Sequence, residues 1–280
     1  MDGYFRNILQ VDVEDWYCDL DINEWKSQED RIAGSTNRVL EILKEANASA
    51  TFFVLGYVAE HHPELVKQIK DGGHEVASHS YAHKPITRQT PQEFEADLLK
   101  SIRILEGIIG TRVLGYRAPQ FSIVEKTSWA IDILKQARLR YDSSVFPVKT
   151  HLYGVPHAPL FPYHISSSNV EIDDLAEEFL EIPLSVYQLP GIRKNIPVAG
   201  GFYLRFFPYS FIKYALRKLN RQNRAAVCYI HPWELDPQQP KVSSLSWYHY
   251  WRLSSTEKKF CNLLNDFKFT SVANYFGLAV

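Results

Sequence analysis

The chain has 280 residues, and its 31 lysines and arginines against 32 acidic residues leave a formal charge of −1 at neutral pH. That balance, with no basic run, removes any electrostatic case for nucleic acid as a partner. No window approaches the roughly 18 apolar residues that a membrane span requires. At 45% hydrophobic and 22% charged, the composition is that of a globular protein able to bury a large core without disulfide staples. Cys18, Cys228 and Cys261 form no CxxC pair and no disulfide framework, which fits a reducing compartment. The N-terminus carries neither a basic n-region nor an apolar h-region, so the expected location is cytoplasmic, although a trimmed leader would read the same way.

In chain order, the apolar run from Ile8 to Val13 suits a buried strand, and Asp12, Glu14 and Asp15 cluster at its C-terminal end. Ser35 is placed to cap a helix reaching about Ala46, and residues 50–56 form a second buried strand. Pro63 at a first helical position and Gly72-Gly73 bracket the next helix. The short strand Glu75-Val-Ala-Ser then delivers His79. His79 and His83 stand four apart, and on a helical turn that spacing puts both imidazoles on one face, able to grip one metal ion. His74 is five residues from His79, a poor offset for that face.

Thr90 and Glu93 have capping-box spacing with Pro91 between them, opening a long helix that stops at Gly110. A strand over residues 113–116 ends in Arg117-Ala-Pro-Gln120; a helix over about 125–137 follows, then Tyr141-Asp142-Ser-Ser. From about 146 to 207 the pattern loosens. Pro147, Pro156, Pro159, Pro162, Pro183, Pro190 and Pro197 break it into short extended pieces with strand candidates near residues 179–182 and Val186, an insertion of irregular or β character. A helix over about 209–219, a last clear strand over 225–230 ending at His231-Pro-Trp-Glu, and a closing helix over about 255–265 complete the chain. Strands alternating with helices, with polar residues at strand ends, predict one α/β domain over 1–280 built as a parallel β/α barrel. The clusters at Asp12–Asp15, His79–His83, Arg117–Gln120, Asp142 and His231 all fall on the face that carries function in such folds.

These clusters also carry a resemblance. Val11-Asp-Val-Glu-Asp-Trp16, Ser78-His-Ser-Tyr-Ala-His83, Gly115-Tyr-Arg-Ala-Pro-Gln-Phe-Ser122, Tyr141-Asp-Ser-Ser-Val-Phe-Pro147, Gly200-Gly-Phe-Tyr-Leu-Arg205 and Tyr229-Ile-His-Pro-Trp233 resemble, in family order, the NodB-homology polysaccharide deacetylases, carbohydrate esterase family 4. The chain is most similar to the branch with an Asp-Val-Glu-Asp first motif, associated with exopolysaccharide and exosortase gene clusters. The resemblance implies a distorted (β/α) barrel of about seven strands, short of the eight of a closed one. It also implies a divalent metal, zinc first with cobalt, nickel or manganese as alternatives, and hydrolysis of an N-acetyl group on an amino sugar in a bacterial surface polysaccharide or its lipid- or nucleotide-linked precursor. Asp12 would be the general base, His79 and His83 metal ligands, Arg117 the residue holding the base, and His231 the general acid.

Three departures from the family pattern matter. Val13 follows Asp12 where a second aspartate is commoner, so the metal carboxylate is Glu14 or Asp15; strand alternation favours Glu14, and a bulge would favour Asp15. Gln120 replaces a tyrosine, leaving its backbone donor, and Tyr229 replaces a leucine lining the acetyl pocket. Asp142 either orients His231 or caps a turn with Ser143 and Ser144. Trp16, Tyr17 and Trp233 are candidates for stacking on sugar rings, with core packing as the bland alternative. Arg205 with Gly200-Gly201 is a candidate contact for an anionic part of the substrate. The aromatic run Trp247–Trp251 is a candidate for binding carbohydrate, with packing of the C-terminal helix against the barrel as the favoured reading. His61, His62, His151, His157, His164 and His249 lack partner spacing and are expected at the surface or in packing. The competing functions are a small-molecule amidohydrolase on the same barrel and a catalytically silent carbohydrate binder. No oligomeric state follows from the sequence.

Overall fold

The computed structural model describes residues 5–150, 153–189, 191 and 194–278; His151 and Pro190 lie outside them. Its strands are β1 (Arg6–Val13), β2 (Thr51–Val54), β3 (Glu75–Ser78), β4 (Gly115–Tyr116), β5 (Tyr141–Asp142), β6 (Tyr163–His164), β7 (Leu180–Glu181), β8 (Val186–Gln188), β9 (Asn195–Pro197), β10 (Val227–Ile230) and β11 (Lys268–Thr270). Its helices are α1 (Ile22–Trp25), α2 (Ile32–Glu45), α3 (Gly56–His61), α4 (Pro63–Asp71), α5 (Pro91–Ile109), α6 (Ala130–Gln136), α7 (Phe202–Phe206), α8 (Tyr209–Asn220), α9 (Thr256–Asp266) and α10 (Val272–Phe276). The described residues fall into two compact units, one of residues 5–52, 62–75 and 198–278, the other of residues 53–61 and 76–197.

In the first unit β1 is the central strand. Every residue from Asn7 to Val13 is buried, and β1 pairs in parallel with β10 on one side, Val11 opposite Ile230, and with β11, Ile8 opposite Thr270. Parallel pairing on both sides explains why β1 is buried continuously and not on alternate residues. Its one buried amide near the start, Asn7, accepts from the Ala226 N–H at 2.8 Å. α2, α8 and α9 bury Val39, Ile42, Leu43, Ile212, Ala215, Leu216, Phe260, Leu263 and Leu264.

In the second unit β3, β4, β5 and β7 run parallel in that order, and β6 closes the edge antiparallel to β7. α5 shows the full capping box, Thr90 accepting from the Glu93 N–H and Glu93 from the Thr90 N–H, and it ends on Gly110 at φ 68°. The insertion is mostly irregular and includes the antiparallel ribbon β8–β9.

Several local expectations give way. Ser35 is not a cap: it lies inside α2, its hydroxyl donating back to the carbonyls of Arg31 and Ile32, a bonding mode open to serine within a helix. The helix expected over 125–137 is a 3-10 turn at Glu125–Thr127 followed by the shorter α6. α3 follows β2 directly, and β11 and α10 lie beyond the expected closing helix.

Candidate active site

In the first unit, ladder register builds half of the site. With Val11 beside Ile230, the residues that follow, Asp12 and His231, emerge side by side. The chain then turns tightly, the Glu14 N–H donating to the Asp12 carbonyl at 3.0 Å. Potential ligand atoms of Asp12, Glu14 and His231 lie within 4.8 Å of one another. His231 Nε2 stands 3.9 Å from Asp12 Oδ2 and 3.9 Å from Glu14 Oε1.

Asp15 faces elsewhere. Its Oδ1 accepts from the Trp16 N–H at 2.8 Å and its Oδ2 from the Arg31 N–H at 2.7 Å. Arg31 is the N-cap of α2 and offers no side-chain cap of its own, so Asp15 supplies the anion that this helix N-terminus favours. Burial pushes the Asp15 carboxyl up to about 6 against those amide bonds.

His231 is gripped from behind. Its Nδ1 lies 3.0 Å from Glu234 Oε2, which also accepts from the His231 N–H at 3.1 Å. Arg205 Nε donates to Glu234 Oε1 at 2.7 Å. The ring stacks on Trp233, which stacks in turn on His249 at 4.1 Å and 9°. Burial works against a charge on His231, but Glu14, Glu234 and Asp12 outweigh it and lift the imidazole to about 9. Burial likewise pushes the Glu234 carboxyl up, but Arg205 and His231 outweigh it and hold it down at about 2.

In the second unit, His79 follows β3 directly, its N–H donating to the Val54 carbonyl at 3.0 Å. His79 Nδ1 donates to the Arg117 carbonyl at 2.8 Å, which puts the ring's lone pair on Nε2. His83 lies with its ring centroid 5.3 Å from that of His79. The helical turn expected there is absent. Ser80 and His83 adopt left-handed backbone, φ 68° and 51°, and Asp97 on α5 holds the loop by accepting from the Tyr81 and Ala82 N–H groups at 2.7 and 3.2 Å. Spacing of four thus brings the rings together through a strapped loop.

Arg117, fully buried, donates from Nε to the Ser143 carbonyl at 2.8 Å and from its terminal nitrogen to Ser143 Oγ at 2.9 Å, above the Phe53 ring. Asp142 accepts from Ser144 Oγ, the local turn bond that was one of its two expected roles. It also sits directly opposite Glu181 across the β5–β7 ladder, both fully buried. Asp142 Oδ2 and Glu181 Oε2 are buried and have no hydrogen-bond partner among the described residues. Burial is the main cause that raises both, Asp142 to about 6 and Glu181 well above the carboxylate range.

The aromatic candidates divide. Trp16 is 1% exposed and donates its indole N–H to the Glu29 carbonyl, and Trp233 lies within its stack, so both are packed rather than offered to a sugar. Tyr17 is buried against Trp16 and Trp25. Tyr229 is buried and meets the His231 ring edge-on at 5.4 Å. Gln120 is exposed on a turn at φ 54°. Arg205 is not a substrate contact: it is 1% exposed and committed to Glu234 and to the carbonyls of Tyr248, His249 and Trp251. Gly200 and Gly201 serve packing, since a Cβ on Gly200 would stand 1.9 Å from the Tyr229 carbonyl oxygen. The run 247–251 packs only in part: His249 is buried against Trp233, whereas Trp247 is 65% exposed and Trp251 41%. His74 accepts from the Ala50 N–H at the other end of β3 from His79. It lines a cavity of about 1080 Å³ with Arg6 and Lys268, at the N-terminal ends of β1 and β11 and away from the chemistry. Glu234, Asp97 and Glu181 had escaped notice in the sequence. Only Glu234 left a signal, its spacing of three from His231 across a proline.

A polysaccharide deacetylase family model matches residues 27–141, and a domain of unknown function, DUF3473, matches residues 143–277. Over 98 residues the chain is 34% identical to a peptidoglycan-N-acetylglucosamine deacetylase of Bacillus cereus, covering 35% of this chain and 36% of that protein. Over 128 residues it is 30% identical to a peptidoglycan deacetylase of Helicobacter pylori, covering 46% and 39%. The chain thus spans well under half the length of these relatives. A polysaccharide deacetylase structure from Mycobacterium smegmatis superposes with a TM-score of 0.61 at 20% identity over 98% of this chain and 91% of the other. A CE4 family pseudoenzyme from Bacillus anthracis gives 0.52 at 15% identity, over 98% and 66%. These likenesses place the chain in the distorted (β/α) barrel class expected from its sequence. Residues 27–141 thus carry a polysaccharide deacetylase domain, in agreement with the resemblance read from the motifs.

Proposed function

We propose that the chain is a metal-dependent N-deacetylase acting on an N-acetylated amino sugar, in a surface polysaccharide or in its lipid- or nucleotide-linked precursor. The observation that carries this reading is the convergence of Asp12, Glu14 and His231 at the adjoining ends of β1 and β10. They would serve there as base, metal ligand and acid, in a chain that carries a polysaccharide deacetylase domain.

Glu14, His79 and His83 would hold a divalent cation, and zinc suits a set of two imidazoles and one carboxylate. The hydrogen bond from His79 Nδ1 to a backbone carbonyl is the support that a ligating imidazole commonly has. Asp15 is left out because both its oxygens accept backbone N–H groups. When bound, the cation would polarise the acetyl carbonyl and acidify water.

Asp12 takes the proton of the attacking water, and Arg117, braced by Ser143, supports that carboxylate. As the C–N bond breaks, its electron pair stays on nitrogen, and His231 Nε2 supplies the proton that completes the free amine. Acetate leaves. Tyr229 and Gln120 border the acyl side, Gln120 through its backbone.

Two measurements test this. Purified wild type should contain about one divalent ion per chain and His79→Ala almost none; equal metal contents would remove the pair from the site. Acetate release from chitooligosaccharides or lipid-linked N-acetyl sugars should fall by roughly a hundredfold or more in Asp12→Asn. Equal release by both proteins would remove Asp12 from its role, and no release by either would favour the silent carbohydrate binder.

A further inference from the structure

We propose that Glu234, backed by Arg205, is the positioning residue of the general acid, fixing the tautomer and the direction of the His231 ring. The inference rests on the reading of His231 as that acid. Asp142 is the sequence's candidate for the task, but its Oδ1 accepts from Ser144 and its Oδ2 has no hydrogen-bond partner among the described residues.

Glu234 reaches His231 twice through one oxygen, at the ring Nδ1 and at the main-chain N–H. A carboxylate can only accept there, so the Nδ1 proton stays in place and Nε2 is the nitrogen turned toward Asp12 and Glu14. The other Glu234 oxygen is held by Arg205 Nε at 2.7 Å, in a pair almost wholly removed from solvent. One terminal nitrogen of Arg205 donates to three carbonyls, those of Tyr248, His249 and Trp251, at 3.0, 3.0 and 2.7 Å. The guanidinium therefore cannot follow Glu234 if the carboxylate moves. Trp233, stacked on His231 and lying 5.3 Å from the Arg205 carbon, closes the remaining direction.

During the reaction the proton that leaves is the one on Nε2. It passes to the amine nitrogen as the C–N bond breaks, and the ring is left neutral with its Nδ1 proton still donated to Glu234. No proton moves to Glu234.

Glu234→Gln tests the arrangement at constant shape. Its single acceptor oxygen faces three N–H donors: the His231 ring, the His231 main chain and Arg205. The expected result is a kcat for acetate release about ten- to a hundredfold lower with KM within twofold, and a melting temperature close to wild type. In ¹⁵N-histidine spectra recorded above pH 9, where the ring is neutral, the wild-type His231 signals should show the Nδ1–H tautomer, and in Glu234→Gln a mixture. Arg205→Lys, which keeps a cation but loses the fork, should lower kcat by a smaller factor and guards against the first variant failing to fold. An unchanged His231 tautomer, or a kcat within twofold of wild type in both variants, overturns the proposal. If wild type releases no acetate at all, the deacetylase reading fails while the spectra still decide the tautomer.

Discussion

Asp15 and Glu14 are neighbours with opposite fates, and the difference is settled by where the nearest unsatisfied amides are. Arg31 begins α2 without a side-chain cap, and the Asp15 carboxylate reaches its N–H from a distant turn. Asp15→Ala should therefore cost about 1–2 kcal/mol in urea unfolding, the range for a lost helix cap, and leave metal content intact. Glu14→Ala should do the reverse, with stability of the metal-free protein unchanged and metal lost on purification. Metal loss in Asp15→Ala with retention in Glu14→Ala would invert the assignment.

The carboxyl pair of Asp142 and Glu181 belongs to the element scale, because ladder register between β5 and β7 forces the two side chains together. Both are raised above the unfolded carboxylate value of about 4. The folded chain therefore keeps a proton that the unfolded chain releases. That contribution is fully present below about pH 4 and is lost as pH rises through the folded values, about 6 for Asp142 and higher for Glu181. Glu181→Gln retains a donor toward Asp142 that cannot titrate. Unfolding free energies at pH 5 and pH 8 should differ less in the variant than in wild type; parallel pH dependence would show that the two carboxyls share no proton. The loop from His79 to His83 is strapped in a similar way, here by Asp97. Asp97→Ala should weaken metal binding about ten- to a hundredfold by calorimetry, the usual cost of losing a support behind ligands.

For the whole molecule, metal binding and stability should be linked. At a free metal concentration a hundredfold above its dissociation constant, roughly 2.7 kcal/mol of stabilisation is expected. A melting-temperature rise with zinc in wild type and none in His79→Ala would report it. Much of this molecule was legible beforehand. The buried run of β1, the capping box and glycine stop of α5, and the placement of polar clusters at strand ends all depend on local rules that operate at short spacing. What stayed hidden depended on contacts between distant segments. Asp15 bonds to Arg31, Asp97 straps a loop sixteen residues before it, and Glu181 meets Asp142 only through the sheet. The histidine pair was found for its spacing and misjudged in its backbone, since two left-handed residues place the rings as a helical turn would.

The pairing of β1 also bears on how the chain is made. Its partners β10 and β11 are synthesised after all the other strands described. Until they emerge from the ribosome, a strand that is buried from Asn7 to Val13 in the folded protein has unpaired N–H and C=O groups facing them, the kind of open edge that invites association between nascent chains. Asp12 and His231 are thus brought side by side only once β10 has been made, and a polypeptide released before that point would carry an aggregation hazard in place of this pairing.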